Sequence, residues 1–430
     1  MFDVISFSFW VGLFTSWQDK APPLKPVQTL AWEELALFSR PHPPKAMIEE
    51  IVPNYLQQLS ALGMAVPSQG VWLASDWWIF GQHQGKRLHS AASLTKIATS
   101  LAALEVYGAN HQFETLVKRT GAIKNGVLQG DLVIEGGGDP FFVWEEAIAL
   151  ANTLHEAGIQ KISGDLIITG NFFMNYQQEG ETVSRYLAQA LHHESWSPPI
   201  RRQYQQLPPE TPRPEITIAG NAIVKKHDES LKNATTIIRH QSPPLTTILQ
   251  QMNIYSNNKI AELLAKLVGG AKKVETIVAK TADFPSKEIQ LRNGSGLGVD
   301  NQLSPRAVVQ MLKAIHEKLE KHGKSIAEIF PVTGIEKGTV RDRALPEGIT
   351  VKTGTLWKVS TLAGVIPTER HGLVYFSILN QNGNIETFRN QQDQLVQQLH
   401  EQWKLVPFNQ KSAVYLGDSK RNILISSQSN

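Results

Sequence analysis

Ser93-Leu94-Thr95-Lys96 sets a hydroxyl and an amine three positions apart. On a helix, positions i and i+3 share a face, so the two side chains can touch. A serine beside a lysine of lowered pKa is a nucleophile beside its base. The spacing alone is common: average residue usage gives roughly one or two S-x-x-K in a chain of this length. Ser256-Asn257-Asn258-Lys259 is a second copy. Two further groups could join the same chemistry. Lys352-Thr353-Gly354, followed by Thr355, offers a cation, a hydroxyl and a glycine that lets another chain approach the backbone. Ser256 and Asn258 offer a hydroxyl and an amide two apart at the start of a helical run. Taken singly, an ordinary edge strand and a helix cap account for these two equally well.

The elements around these residues are legible in outline. After Ser93 the apolar residues Leu94, Ile97, Ala98, Leu101 and Leu104 keep a 3.6-residue period, and Gly108 is a stop signal, which predicts a helix. "GVWLASDWWIFG" (70–81) reads as a hairpin. "ITVKTGTLWKVSTLAGVIP" and "HGLVYFSILNQN" read as two antiparallel strands joined by a turn at Thr368–His371, covered by a terminal helix from Asn384. "AMIEEIVPNYLQQLSALG" reads as a helix interrupted at Pro53. Between these regions the core G-D-L-[VI]-I occurs twice, at Gly130 and Gly164, with a helical stretch between. That order suggests a compact α/β module.

Composition removes several function classes. A chain of 430 residues with net charge +3 and no long basic block is not built to track phosphates, so no nucleic acid partner is expected. The absence of cysteine removes disulfides, thiolate metal sites and a cysteine nucleophile. "GQHQGKR" lacks one residue and the final hydroxyl of a phosphate loop, "HEKLE" lacks the second histidine of a zinc motif, and "GGGDP" reads as a turn. No metal and no cofactor is implied. Val4–Trp17 is apolar and uncharged, with a length that suits a signal sequence better than a membrane span. It lacks a basic leader and a clear cleavage site, so an export signal, an anchor and a buried helix all stay open.

What decides among these readings is order: S-x-x-K at 93, S-x-N at 256, K-T-G at 352. Together they form the signature of serine β-lactam-binding enzymes. The chain resembles the class C low-molecular-mass penicillin-binding proteins, the D-alanyl-D-alanine carboxypeptidase/endopeptidases. "GVLQGDLVIEGGGDP", "RNGSGLGVDNQLSP" and "PVTGIEKGTVRDR" carry the resemblance beyond the three motifs. It implies catalysis by Ser93, Lys96, Ser256 and Asn258, and substrate binding by Lys352, Thr353, Gly354 and Thr355. The backbone N–H groups of Ser93 and Thr355 would form the oxyanion hole. The implied substrates are peptidoglycan stem peptides, with β-lactams as covalent inhibitors, in the periplasm or cell envelope. Membrane association through the N-terminus stays open. A non-catalytic peptidoglycan-binding protein and a β-lactamase or esterase are the rival readings, and the intact motif residues argue against the first.

The implied fold is α/β (α+β): a transpeptidase-like domain with an antiparallel sheet flanked by helices, plus a smaller inserted α/β or β-rich domain. The expected division is 1–26 as an N-terminal apolar segment and linker, 27–120 with 240–430 as the catalytic domain, and 121–239 as the insert. Only 163 residues separate Ser93 from Ser256, fewer than the family's usual insertion, so one of its two accessory domains is expected to be absent. Thr169 stands where family members often carry an acid that helps bind a diaminopimelate side chain. Phe172 or Phe173 is expected to pack on that side chain instead.

Overall fold

A computed structural model describes residues 50–225, 229–336, 338–408 and 416–425. Val4–Trp17 lies outside the described residues. The first stretch runs α1 (Ile51–Ala61), β1 (Gln69–Ala74), β2 (Ile79–His83), β3 (His89–Ser90) and α2 (Thr95–Tyr107). Next come β4 (Glu114–Arg119), β5 (Ile123–Lys124), β6 (Val127–Leu128), β7 (Leu132–Gly137), α3 (Trp144–Glu156), β8 (Lys161–Ile162) and β9 (Leu166–Asn171). They are followed by α4 (Gly180–Ala190), α5 (Pro198–Tyr204), β10 (Thr217–Ile218), β11 (Ala222–Val224) and β12 (Thr235–Gln241). The chain then continues with α6 (Leu245–Ile254), α7 (Asn258–Val268), α8 (Ala271–Thr281), β13 (Ile289–Gln290), β14 (Gln302–Leu303) and α9 (Pro305–Glu320). It closes with β15 (Thr350–Leu356), β16 (Val359–Thr368), β17 (Gly372–Gln381), α10 (Ile385–Gln402) and β18 (Asn422–Leu424).

The main sheet is antiparallel throughout, in the order β15-β16-β17-β1-β2. Side chains alternate across its two faces. On β1, Val71 and Leu73 pack with α1 and α10, whereas Trp72 and Ala74 pack with α2 and α9. Both faces are therefore covered, and all ten residues of β16 are buried. The stretch from Ile349 to Pro367 holds two strands where the sequence reads as one, because a strand buried on both faces shows no alternation. The turn between them is Trp357-Lys358, with Lys358 at φ 56°, and neither residue is a usual turn former. Pro53 does not interrupt α1. It lies in the first turn, where its missing N–H has no partner to lose.

Helix α2 runs through the core. Its residues Thr95 to Leu104 are all buried, and its large apolar side chains contribute roughly 1.5–3 kcal/mol each. Lys96 lies in the same buried run, with no exposed surface. A charged amine in such a place costs stability unless something compensates it.

A second sheet has the order β11-β9-β7-β4-β12-β18, with a short sheet β10-β8-β6-β5 beside it. It draws strands from both sides of the 121–239 stretch, including β18 near the C-terminus. The Gly-Asp-Leu repeats have a structural cause. Leu132 pairs in register with Leu166, and Leu166 with Ala222, all parallel. Asp131 Oδ1 accepts from the N–H of Asp165 at 2.8 Å, and Asp165 Oδ1 accepts from the N–H of Asn221 at 2.8 Å. A Cβ at Gly164 or Gly220 would overlap those carboxylates. Gly220-Asn221-Ala222 is thus a third copy, hidden by its different residues.

Candidate active site

The approach to Ser93 is pinned from three sides. Strand β3 pairs with β14, the Ala91 N–H bonds Asn301 O at 2.9 Å, and Thr361 Oγ1 donates to Ala91 O at 3.1 Å. Ala92 then takes φ 46°, a left-handed conformation that costs a non-glycine residue roughly 1–3 kcal/mol. The bend presents Ser93, which is only half-buried between fully buried neighbours, at the start of α2.

Lys96 Nζ meets three oxygens. It lies 3.1 Å from Ser93 Oγ, 2.7 Å from Asn258 Oδ1 and 2.7 Å from the Ser295 carbonyl. Burial pushes the amine down from 10.5 to about 7, with the Glu262 carboxylate opposing. The three oxygens match the three donors of the ammonium form, and the neutral form keeps two of these bonds. A neutral lysine has two N–H donors and one lone pair. The amide oxygen and the backbone carbonyl accept and do not donate, so they take the two donors. The lone pair then faces the Ser93 hydroxyl.

Ser256 and Asn258 flank the N-terminus of α7, and the residue between them does the capping. Asn257 Oδ1 accepts from the N–H groups of Lys259 and Ile260, at 2.9 and 3.2 Å. That leaves Asn258 free to meet Lys96. Ser256, at φ 51°, accepts from Lys352 Nζ at 3.1 Å. Lys259, the amine of the second S-x-x-K, is exposed. The middle motif therefore touches the other two directly.

Lys352 is buried on β15 and also donates to Thr353 O at 2.8 Å. Burial first, and repulsion by Lys96 second, hold its amine well below the ordinary lysine range. Thr353 Oγ1 donates to Thr339 Oγ1 at 2.8 Å, and Thr355 Oγ1 accepts from Arg389 Nη2 at 2.9 Å. Gly354 is required by space. A Cβ there would overlap Thr361 Oγ1, lie 2.8 Å from Ser93 N and 3.0 Å from Ala92 Cβ. We predict that Gly354→Ala forces β15 away from Ser93 and lowers kcat about 10²-fold, the usual effect of losing one oxyanion donor. Steady-state kinetics and a thermal melt separate this from unfolding. Unchanged kcat would refute the tight apposition.

Several contributors have no local signature in the sequence. Glu262, one turn beyond Asn258 on α7, accepts from the N–H groups of Gly294 and Ser295 at 3.1 and 3.0 Å. Thr99 Oγ1 donates to Gly294 O at 2.6 Å. These bonds fix the 293–296 loop so that the Ser295 carbonyl reaches Lys96. The stretch "NGSGL" signals a turn, but nothing in it signals a partner for a lysine two hundred residues earlier.

Thr169 is half-buried on β9, in register with Glu135 of β7, which pairs with Lys118. Phe172 and Phe173 are both buried. Phe172 packs edge-on against Phe142, and Phe173 has Lys266 Nζ 5.9 Å from its ring centroid. Neither ring is free to cover a substrate side chain in this arrangement. "GGGDP" is a turn in which Asp139 Oδ1 accepts from the Phe141 N–H at 2.8 Å.

The chain is similar to several known proteins. D-alanyl-D-alanine carboxypeptidase DacB of Haemophilus influenzae is 23% identical over 404 residues, covering 69% of this chain and 81% of that one. A carboxypeptidase of Mycobacterium tuberculosis is 30% identical over 179 residues, 37% of this chain and 38% of its own. The fold is shared with a penicillin G-acylated predatory endopeptidase from Bdellovibrio bacteriovorus, at TM-score 0.70 and 24% identity over 81% of this chain and 96% of that one. It is also shared with penicillin binding protein 4 of Haemophilus influenzae, at TM-score 0.61 and 22% identity over 82% and 99%. The profile of the D-Ala-D-Ala carboxypeptidase 3 (S13) family matches residues 50–185 and 215–402, most of the chain. The chain belongs to the D-Ala-D-Ala carboxypeptidase 3 (S13) family.

Proposed function

We propose that the protein is a serine-type D-Ala-D-Ala carboxypeptidase, with DD-endopeptidase action on the same site, working through a Ser93 acyl-enzyme. The observation that carries the reading is the buried Lys96 amine, 3.1 Å from Ser93 Oγ and held by the Asn258 amide oxygen and the Ser295 carbonyl, so that in its neutral form the lone pair is left for the Ser93 hydroxyl. Ser93 Oγ attacks the carbonyl between the two D-alanines while Lys96 takes its proton. The backbone N–H groups of Ser93 and Thr355 hold the oxyanion. Ser256 passes a proton to the leaving amine, and its contact with Lys352 sets the hydroxyl for that transfer. Asn258 holds the substrate amide. Lys352, Thr353 and Thr355 receive the terminal carboxylate, with Gly354 keeping β15 close. Water then attacks the ester, releases the shortened peptide and restores Ser93.

In the same reading 121–239 is an inserted accessory domain whose sheet is completed by β4 and β18 from the flanking chain, and 27–120 with 240–430 otherwise form the catalytic domain. The enzyme works in the cell envelope, where its polymeric substrate lies. Among the described residues no helix is long and apolar enough to cross a membrane. Incubation with a stem pentapeptide is expected to release one D-alanine per peptide, measured by chromatography. Penicillin acylation without any D-alanine release would contradict the carboxypeptidase reading, and a purely cytosolic distribution on fractionation would contradict the location.

A further inference from the structure

Arg389 has an unusual position for an arginine. It lies in the second turn of α10, and its guanidinium donates to Thr355 Oγ1 at 2.9 Å. Among the described residues it has no ion pair. Arg343 lines the same groove and is fully engaged instead, with Asp393 at 2.6 and 3.0 Å and Gln392 at 3.0 Å. A guanidinium without an acid, bonded to a hydroxyl assigned to a substrate carboxylate, is poised to pair with that carboxylate.

The groove on which Arg389 opens, joined to Thr355 through that arginine, has a volume of about 850 Å³ and is lined by Trp357, Lys358, Asn384, Glu386, Arg389 and Asn390, among others. Trp357 is 82% exposed at the β15–β16 turn and gives the groove an apolar wall. Lys358 Nζ lies 5.9 Å from its ring centroid. Asp393 is taken by Arg343, and Asp342 contacts Arg341 at 3.2 Å. Arg389 and Lys358 are therefore balanced in the groove chiefly by Glu386.

Substrate chemistry says what such a groove would hold. Every DD-peptide carries a carboxylate on the residue that supplies the scissile nitrogen. In a monomeric stem peptide that residue is D-alanine, and only a methyl group extends from it. In a cross-linked pair it is the D-centre of a diamino acid in the second stem, whose side chain leads on to a whole peptide. The carboxylate occupies the same place in both. Only the cross-linked substrate needs room beyond it.

Building on the acyl-transfer reading above, we propose that this groove is the subsite for the leaving strand of a cross-linked peptide. Arg389 anchors the carboxylate next to the scissile nitrogen, and Trp357 borders the chain beyond it. The covalent step is unchanged: the C–N bond breaks, the acyl group passes to Ser93 Oγ, and the leaving amine departs with the proton that Ser93 gave up.

The test measures kcat/KM for a cross-linked muropeptide dimer and for a monomeric pentapeptide, with penicillin acylation as a third readout. The variants are Trp357→Ala, Trp357→Phe, Arg389→Ala and Arg389→Lys. Trp357→Ala is expected to lower the dimer-to-pentapeptide ratio about tenfold, with Phe restoring part of it. Arg389→Ala is expected to lower both substrates about 10- to 100-fold, mainly through KM, with Lys restoring part. Penicillin carries a carboxylate and no leaving strand, so its acylation should follow the pentapeptide. An unchanged ratio in Trp357→Ala overturns the subsite. Unchanged KM in Arg389→Ala overturns the anchor. A wild-type protein that cleaves pentapeptide but not dimer also overturns the subsite, while leaving the carboxypeptidase reading intact. Wild-type protein that neither cleaves nor acylates would instead sink that underlying reading.

Discussion

Ser93→Ala is expected to lower kcat for D-alanine release at least about 10⁴-fold while leaving the fold unchanged. Removing a nucleophile costs an acyl-transfer enzyme nearly its whole covalent route, and what remains comes from oxyanion stabilisation and binding. Here Ser93 Oγ is the group that meets both the Lys96 amine and the cleft. Ala91 and Ala92 already hold the turn through backbone and packing contacts, so losing one oxygen leaves that turn in place. Substrate affinity should survive, because the β15 residues are untouched. Stopped assays over hours, with a melting curve as control, provide the measurement. Residual turnover within tenfold of wild type would place the nucleophile elsewhere.

Lys96→Met is expected to lower kcat/KM about 10³-fold, within the range for loss of a general base. The wild-type pH profile carries the more specific signature. The base is the neutral amine, so activity should rise with pH and reach half its plateau near the pKa of about 7. Burial sets this low value, and Glu262 opposes it. A limb near the ordinary lysine range would show that Lys96 is solvated in solution. Stability supplies an independent check. With the folded pKa depressed below 10.5, unfolding takes up a proton between about pH 7 and 10.5. The native protein should therefore gain stability relative to Lys96→Met as pH rises through that window, and the difference should level off below it. A difference that stays flat across the window would contradict the buried, neutral amine.

The motifs were legible in the sequence because their chemistry needs particular residue types at short offsets, and because their order along the chain is informative. The i, i+3 relation of Ser93 and Lys96 survives in the structure, although a short 3-10 turn precedes α2 and carries the serine. Asn257, between two cleft residues, is the helix cap, so both readings of "SNN" describe part of it. What could not be read arrives through tertiary contact. The Ser295 carbonyl, Thr361 and Arg389 come to the site from distant segments, and Glu262, although one turn from Asn258, belongs to no motif that marks it. The strand pair β15–β16 reads as one strand in the sequence because burial on both faces erases the alternation that normally marks a strand's limits. The third Gly-Asp-Leu-like start at Gly220 is not legible in the sequence because the backbone geometry persists where two of its three residue types change.

The central claim is that Ser93 becomes acylated, and the most direct measurement is mass spectrometry of the full chain after incubation with benzylpenicillin. The account predicts one covalent adduct per protein, mapped by proteolysis to the peptide containing Ser93 and absent from Ser93→Ala. An adduct on Ser256, or one that persists in Ser93→Ala, would contradict it.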